Sequence, residues 1–84
     1  MLEELNNSLS EYFKLLRFKN KISQEEIAKK LGVSRNTYST WENNPAQLSL
    51  ETLNNISDKL GNDIIIFFKE YVANSNKSNS KEET

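Results

Sequence analysis

Four polar side chains recur at one-turn spacing in the middle of the sequence. They are Arg35, Asn36, Ser39 and Thr40. Residues three and four apart share one face of an α-helix, so these groups would project together. Guanidinium, carboxamide and hydroxyl groups hydrogen-bond to base edges, and a major groove about 12 Å wide admits a helix that carries them. The spacing therefore indicates recognition by hydrogen bonds.

Catalytic chemistry finds little support in the composition. The chain has no Cys and no His, which excludes disulfides, thiolate or imidazole metal sites, Cys nucleophiles and His-based acid/base catalysis. The acidic pairs Glu25 and Glu26, and Asp58 and Asp63, look like ordinary surface carboxylates. We predict a protein that is not an enzyme and has no cofactor and no metal.

Charge is distributed unevenly, although the net charge is only −1. Residues 14–35 carry seven basic and two acidic groups, which gives +5. Residues 1–13 and residues 36–84 each carry −3. A basic segment with acidic flanks is what a local nucleic-acid footprint requires, and a solvated helix face explains it equally well.

Helix-start and helix-stop signals recur along the chain. Ser8 and Ser23 each precede a Glu by three positions, as in a capping box. Further N-cap candidates and C-terminal stop signals follow at Ser34, Ser49, Asn62 or Asp63, and at Gly32, Gly61 and Asn43-Asn44-Pro45. They predict an all-α chain of five helices, at about residues 9–20, 24–31, 35–43, 50–60 and 63–73.

The two ends of the chain differ from its middle. Residues 74–84 contain no apolar side chain, so we predict one domain over residues 1–73 and a disordered polar tail over 74–84. Residues 1–7 fit either an extra helical turn or an arm. The longest apolar run, Ile64 to Phe68, is too short to span a bilayer. The acidic residues after Met1 do not suit a signal peptide, and we expect a cytoplasmic protein.

Residues 24–43 fit a helix-turn-helix position by position. Ala28 is small where the two helices would approach, Gly32 can adopt the positive φ of a sharp turn, and Val33 would fill the corner. Four larger side chains would then face inward: Ile27, Leu31, Tyr38 and Trp41.

Three motifs together resemble a known family. They are residues 22–34 (Ile-Ser-Gln-Glu-Glu-Ile-Ala-Lys-Lys-Leu-Gly-Val-Ser), Trp41-Glu42-Asn43 and Ser49-Leu50-Glu51-Thr52-Leu53. In these residues the chain resembles the phage-repressor family (Cro/repressor, Xre-type), over roughly residues 9–68. The resemblance implies a compact five-helix, lambda-repressor-like domain with the helix-turn-helix at helices 2 and 3. It also implies binding of operator DNA, usually as a homodimer.

The same resemblance implies roles for individual residues. Arg35 and Asn36 would contact guanine and adenine, and Ser39 and Thr40 would contact a thymine methyl or a phosphate, or remain solvated. Phosphate contacts would come from Gln24, Ser34, Thr37, Asn43 and Lys21, although for Lys21 a solvated face is as good an interpretation. Arg17 and Glu42 would form a structural ion pair, unless Arg17 is itself a phosphate ligand.

The sequence departs from the family pattern at three places. Asn44 replaces a helix-ending Gly, and because Asn tolerates the left-handed conformation the turn should survive. Tyr38 and Trp41 are larger than usual, which predicts a tilted helix or an aromatic surface toward DNA. Apolar residues follow Ile64, and we hypothesise a dimer interface at Ile65, Ile66 and Tyr71, joined by Leu15 and Phe18. The alternative is that they enlarge the core.

Two functions follow from these observations. The first is a sequence-specific, double-stranded DNA-binding transcriptional regulator, a small repressor of phage or mobile-element type that binds a pseudo-palindromic operator as a dimer. The alternative is an antitoxin or other interaction module that binds a protein such as a toxin or antirepressor and represses its own promoter secondarily. No membrane partner and no small-molecule effector is expected.

Overall fold

The computed structural model describes the backbone of residues 2–83 and the side chains of residues 2–74. Over that range the chain forms five α-helices and one short 3-10 helix, Pro45–Gln47, and no strand. The helices are α1 (Leu2–Asn20), α2 (Gln24–Leu31), α3 (Arg35–Asn43), α4 (Leu50–Lys59) and α5 (Ile64–Glu83). The predicted all-α, five-helix fold is confirmed.

Side-chain oxygens begin four of these helices. The Ser23 capping box is complete, with Oγ accepting from the Glu26 amide at 3.0 Å and Glu26 Oε1 accepting from the Ser23 amide at 3.4 Å. Ser34 and Ser49 each accept from the amide three residues on, at 3.1 Å. At α5 the cap is Asp63, whose Oδ1 accepts from the Ile65 amide at 2.9 Å. These bonds satisfy donors that a helix N-terminus leaves unpaired.

The predicted start of α1 at Ser8 is wrong, because α1 already begins at Leu2 and Ser8 lies inside it. Residues 2–8 are therefore a helical extension, which decides between the extra turn and the arm. Leu5 packs against the core, so the extension contributes buried apolar area. Glu3 and Glu4 lie in the first turn, where negative charge favours the helix dipole.

Each of the five helices contributes to one apolar core. Its buried members are Leu9, Phe13, Leu16, Ile27, Ala28, Tyr38, Leu53, Ile56, Leu60, Ile64 and Phe67.

The α2–α3 turn is as predicted: Gly32 has a φ of 75°, and the Val33 amide donates to the Ala28 carbonyl at 3.0 Å. This left-handed C-cap sends α3 back across α2, so that one side of α3 is buried and its first turn is exposed.

Of two other chain reversals, the one after α3 departs from expectation. Asn44 has a φ of −133° and a ψ of 53°, so it does not adopt the left-handed conformation expected of it. The chain turns instead through the 3-10 helix that begins at the buried Pro45. Between α1 and α2 the left-handed residue is Lys21, with a φ of 54°. There the Asn20 carboxamide donates to the carbonyls of Leu16 and Leu60, at 2.8 and 3.0 Å.

The last helix combines buried and exposed apolar groups. Ile64 and Phe67 are buried, and the Phe67 ring lies 4.9 Å from that of Tyr12 and 5.9 Å from that of Tyr71, centroid to centroid. The backbone of α5 continues to Glu83, beyond the predicted end at residue 73. Side chains after residue 74 lie outside the described residues, and the predicted disordered tail over 74–84 stays a prediction.

Candidate nucleic-acid interface

The first two turns of α3 carry the residues predicted to contact bases. Arg35, Asn36 and Thr40 are exposed, and Ser39 is half-buried. In the described part of the chain, the side chains of Arg35 and Asn36 form no hydrogen bond to another residue. The Thr40 hydroxyl donates to the Asn36 carbonyl at 3.1 Å, which leaves its methyl group and oxygen lone pairs for an outside partner.

The start of α3 also positions a hydroxyl donor. Ser34 Oγ donates to Thr37 Oγ1 at 2.9 Å and accepts from the Thr37 amide. This arrangement uses the Ser34 hydroxyl proton and leaves that of Thr37 free, because each hydroxyl carries one proton. Of these two predicted phosphate ligands, Thr37 keeps the donor that a phosphate oxygen needs.

Gln24, at the start of α2, has one side-chain N–H free. Its Nε2 donates to Glu42 Oε1 at 3.1 Å, and a carboxamide nitrogen carries two protons. Gln24 lines a hollow between the starts of α2 and α3 together with Arg17, Ser23, Glu25 and Arg35. The structure thus brings a predicted phosphate ligand next to a predicted base-contacting residue, with the positive end of the α2 dipole nearby.

The remaining predicted phosphate ligands lie at helix ends. Lys21 is exposed just after α1, in a second hollow with Arg17, Phe18, Ile22 and Ser23. Asn43 is exposed as the last residue of α3. The predicted phosphate ligands therefore lie on two helices and on the turns that precede them: Thr37 and Asn43 on α3, Gln24 on α2, and Ser34 and Lys21 in the turns.

A buried carboxylate beneath this surface receives four hydrogen bonds. Glu42 is 0% exposed. Arg17 Nε donates to its Oε2 at 2.7 Å, and Arg17 Nη2 donates to its Oε1 at 3.0 Å. The Tyr38 hydroxyl donates to Oε2 at 2.6 Å, and Gln24 donates to Oε1. Arg17 Nη1 also donates to the Ile22 carbonyl at 3.2 Å, which ties α1, α2 and α3 together.

The pKa values of this cluster follow from its burial and its hydrogen bonds. Burial alone would raise the pKa of Glu42, but the hydrogen bonds from Arg17, Tyr38 and Gln24 hold that pKa below its ordinary value. Burial first, and then the bond to Glu42, raise the pKa of the Tyr38 hydroxyl, which stays protonated. The hydrogen bond to Glu42 raises the pKa of Arg17. An ionised Glu42 with charged and neutral donors around it is thus the stable state.

The tyrosine in this cluster was predicted only as an inward-facing apolar residue. The Tyr38 ring lies in the core and is 0% exposed, while Trp41 is half-buried against the same core. The polar role of Tyr38 had a sequence signal, because Tyr38 and Glu42 are four residues apart on one helix. Asn6, which bonds to residues 43 and 46, was not predicted, and no local signal marks it.

The residues predicted to form a dimer interface do not share one surface. Ile65 and Ile66 are each 49% exposed, but as sequence neighbours they point about 100° apart around the helix. Ile65 lines an apolar hollow with Phe68, Lys69, Val72 and Ala73. Tyr71 instead stacks on Phe67 at an interplanar angle of 19°. Leu15 and Phe18 are exposed on α1, and Phe18 lines the hollow beside Lys21.

Metal ligands do not cluster within the described residues, where no group of three or more Asp or Glu side chains could hold an ion. In the same part of the chain, none of the helices combines the length and apolar character needed to cross a membrane.

Comparisons with known proteins agree with this architecture. The family model HTH_3, Helix-turn-helix, matches residues 13–67. The uncharacterized HTH-type transcriptional regulator YqaF of Bacillus subtilis (strain 168) is 35% identical over 74 residues, which cover 88% of this chain and 96% of YqaF. No solved structure gives a significant match.

Two antitoxins are also similar over a shorter range. Antitoxin HipB of Escherichia coli O6:H1 (strain CFT073) is 42% identical over 52 residues, and HipB of Escherichia coli K12 is 40% identical over 52 residues. The match covers 62% of this chain but only 55% and 59% of the two HipB proteins. The family match, the YqaF similarity and the exposed first turn of α3 agree, and the chain belongs to the Xre-type helix-turn-helix family of DNA-binding transcriptional regulators.

Proposed function

We propose that this protein is a sequence-specific repressor, of phage or mobile-element type, that binds a pseudo-palindromic operator as a dimer in the cytoplasm. The observation that carries the proposal is the exposed pair Arg35 and Asn36 at the start of α3. Both side chains lack an intramolecular hydrogen bond among the described residues, whereas the polar groups behind them are bonded. The function is binding, and no catalytic step is required.

Base recognition would use the two side chains in different ways. With α3 in the major groove, Arg35 donates two hydrogen bonds to guanine O6 and N7, and Asn36 pairs with adenine N6 and N7. Thr40 lies one turn further along α3 and presents its methyl group to thymine. Ser39 is half-buried and contributes at the edge of this surface.

Phosphate contacts would hold the helix in the groove. Gln24 and Thr37 each keep one donor proton, and Lys21 and Asn43 are exposed on either side. Such contacts carry no sequence information but set the register. Because each phosphate that Lys21 or another exposed cation neutralises releases counterions, affinity should fall with salt concentration.

Dimerisation would use the exposed apolar face of α5. Ile65, Phe68 and Val72 lie on one side of the helix by their spacing, and they line the same hollow. Burying this face against a second copy removes apolar surface from water and pairs two recognition helices. A dimer of this kind contacts half-sites about 34 Å apart, one helical turn of DNA.

The test is selection of bound sequences from a random duplex library at about 0.15 M salt, a concentration at which weak non-specific binding is already reduced. We expect the wild type to enrich a pseudo-palindromic motif. The Arg35→Ala variant should lose about 1–3 kcal/mol of binding free energy and relax preference at one base position per half-site. Lys29→Ala, which also removes one exposed positive charge, is the control and should keep the motif. A library without enrichment would contradict the proposal.

A second candidate function is that of an antitoxin that binds a protein toxin. The similarity to two HipB antitoxins favours it, together with the exposed apolar hollow on α5, which suits a protein surface. Co-expression with the product of the adjacent gene separates the two functions. An antitoxin would co-purify in a stable complex that Ile65→Glu disrupts, whereas a repressor would purify alone and still select its operator.

A further inference from the structure

Asn6 joins the beginning of α1 to the segment that follows α3. Its Nδ2 donates to the Asn43 carbonyl at 3.3 Å, and its Oδ1 accepts from the Ala46 amide at 3.0 Å. These partners are 37 and 40 residues away in sequence. A single planar carboxamide therefore bridges both ends of the connection between α3 and the 3-10 helix.

Two backbone groups of the bridged segment, the Asn43 carbonyl and the Ala46 amide, have Asn6 as their partner within the described residues. Asn43 is the last residue of α3, and the last carbonyls of a helix have no partner within it. Pro45 carries no N–H. Asn44 lies outside helical and left-handed geometry, and its amide donates to the Thr40 carbonyl at 3.0 Å. Asn6 therefore satisfies two further backbone groups beside the local bonds of this turn, in which the amides of Gln47 and Leu48 donate to the carbonyls of Asn44 and Pro45 at 3.3 and 3.0 Å.

Asn6 lies on the same side of α1 as Arg17, which also bonds to the end of α3. Asn6 and Arg17 are eleven residues apart, close to three helical turns, and so lie on the same side of α1. Arg17 holds Glu42, and Asn6 holds the next residue, Asn43. α1 thus anchors the end of α3 at two consecutive residues, while the first turn of α3 stays exposed.

We propose that Asn6 is a positioning residue for DNA binding, which holds the Asn43 backbone so that its exposed side chain meets a phosphate. This inference rests on the proposed function. Asn6 itself need not touch DNA, because it is half-buried and its carboxamide is already directed to Asn43 and Ala46. The helical extension over residues 2–8 is then part of the DNA-binding apparatus.

The test compares Asn6→Leu with Asn7→Leu on the full chain. Asn7 is exposed on the same helix, so Asn7→Leu makes the same substitution without removing the bridge. We expect Asn6→Leu to bind the selected operator about 5- to 20-fold more weakly, the effect of losing one to two hydrogen bonds. The slope of log affinity against log salt should stay close to that of the wild type, because the Asn43 carboxamide is neutral and its contact with a phosphate releases no counterion. Asn7→Leu should change neither quantity.

A double-mutant cycle separates positioning from general stabilisation. In an Asn43→Ala background, Asn6→Leu should cause less than about a twofold further loss, because its effect passes through the missing side chain. An undiminished loss in that background would overturn the positioning role while leaving operator binding intact. If the wild type itself enriches no duplex, the proposed function fails and this inference falls with it.

Exchange of the Ala46 amide hydrogen provides a measurement without DNA. Asn6→Leu should accelerate that exchange, whereas the Asn6→Asp variant keeps an acceptor for the amide and should retain protection. The Asp carboxylate has no proton to donate to the Asn43 carbonyl, so Asn6→Asp should bind the operator as weakly as Asn6→Leu does. Equal exchange in wild type and Asn6→Leu would contradict the bridge itself.

Discussion

The first turn of α3 and the first half of α5 each have an exposed side, but the two sides expose opposite chemistry. α3 presents Arg35 and Asn36, while α5 presents Ile65, Phe68 and Val72 around one apolar hollow. The buried side of α3 carries Glu42, which accepts four hydrogen bonds. Elsewhere on α5, the rings of Phe67 and Tyr71 stack on each other, and the Phe67 ring also contacts that of Tyr12 on α1.

This difference corresponds to the two kinds of contact that the proteins of this family would need. Hydrogen bonds to bases are directional, so the helix that makes them must be held at a defined position, and bidentate bonds between helices provide that. Apolar association is non-directional and tolerates small shifts, so packed rings are a sufficient support. In this molecule, the contacts that hold each exposed side of a helix in place therefore match the precision that its binding requires.

The largest expected effect comes from breaking the support beneath α3. Arg17→Met removes the cation and leaves the Glu42 carboxylate buried, which should cost about 3–5 kcal/mol of unfolding free energy. Urea unfolding would measure it. Ile65→Ser, on the exposed α5 face, is the control and should change the same quantity by less than about 0.5 kcal/mol in the monomer. Similar losses for the two variants would remove the distinction between the two supports.

Acid should weaken the hydrogen bonds to Glu42 and lower the unfolding free energy by a smaller amount than Arg17→Met does. The folded-state pKa of Glu42 is lowered from an ordinary value of 4.5. A lowered pKa means that the unfolded chain binds the proton first, so the contribution of Glu42 is complete above about pH 4.5 and is lost as pH falls through the folded pKa. Unfolding free energy measured from pH 7 downward should fall in that window. The Glu42→Gln variant should show a shallower fall, and an identical pH profile would contradict this assignment.

The smallest expected effect concerns self-association through the apolar side of α5. Ile65→Glu places a charge in the apolar hollow and should weaken self-association at least about tenfold, or about 1.4 kcal/mol. Ile66→Glu is a closely matched control, because Ile66 has the same residue type and the same 49% exposure but points elsewhere. Sedimentation equilibrium would measure both. If Ile66→Glu dissociates the dimer and Ile65→Glu does not, the interface lies on a different side of α5.

Local features of the fold were predictable because their causes lie within a few residues. The capping box at Ser23, the caps at Ser34 and Ser49 and the left-handed Gly32 all depend on neighbouring backbone groups. The same local rule failed at Ser8. There the apolar residues Leu5 and Leu9 continue the helix against the core, and packing outweighs a capping signal.

The candidate site was predictable only in part. The exposed positions on α3 follow from helical periodicity once Tyr38 and Glu42 are taken as inward. The trio Ile65, Ile66 and Tyr71 was not separable in the sequence, because three apolar residues on one helix look alike until the packing of Phe67 is known. Periodicity places residues on faces, but it does not say which face a neighbouring helix covers.

The positions of α2, α3 and α4, the α2–α3 turn and the polar residues that α3 exposes follow from the sequence alone, since caps, glycine conformation and apolar spacing act over one or two turns. The tertiary structure decided which side chains meet. Arg17 and Gln24 reach Glu42 across 25 and 18 residues, and Asn6 reaches Asn43 across 37. Such contacts require helices to cross at particular angles and distances, and those are set by the packing of the whole core rather than by any local run of residues.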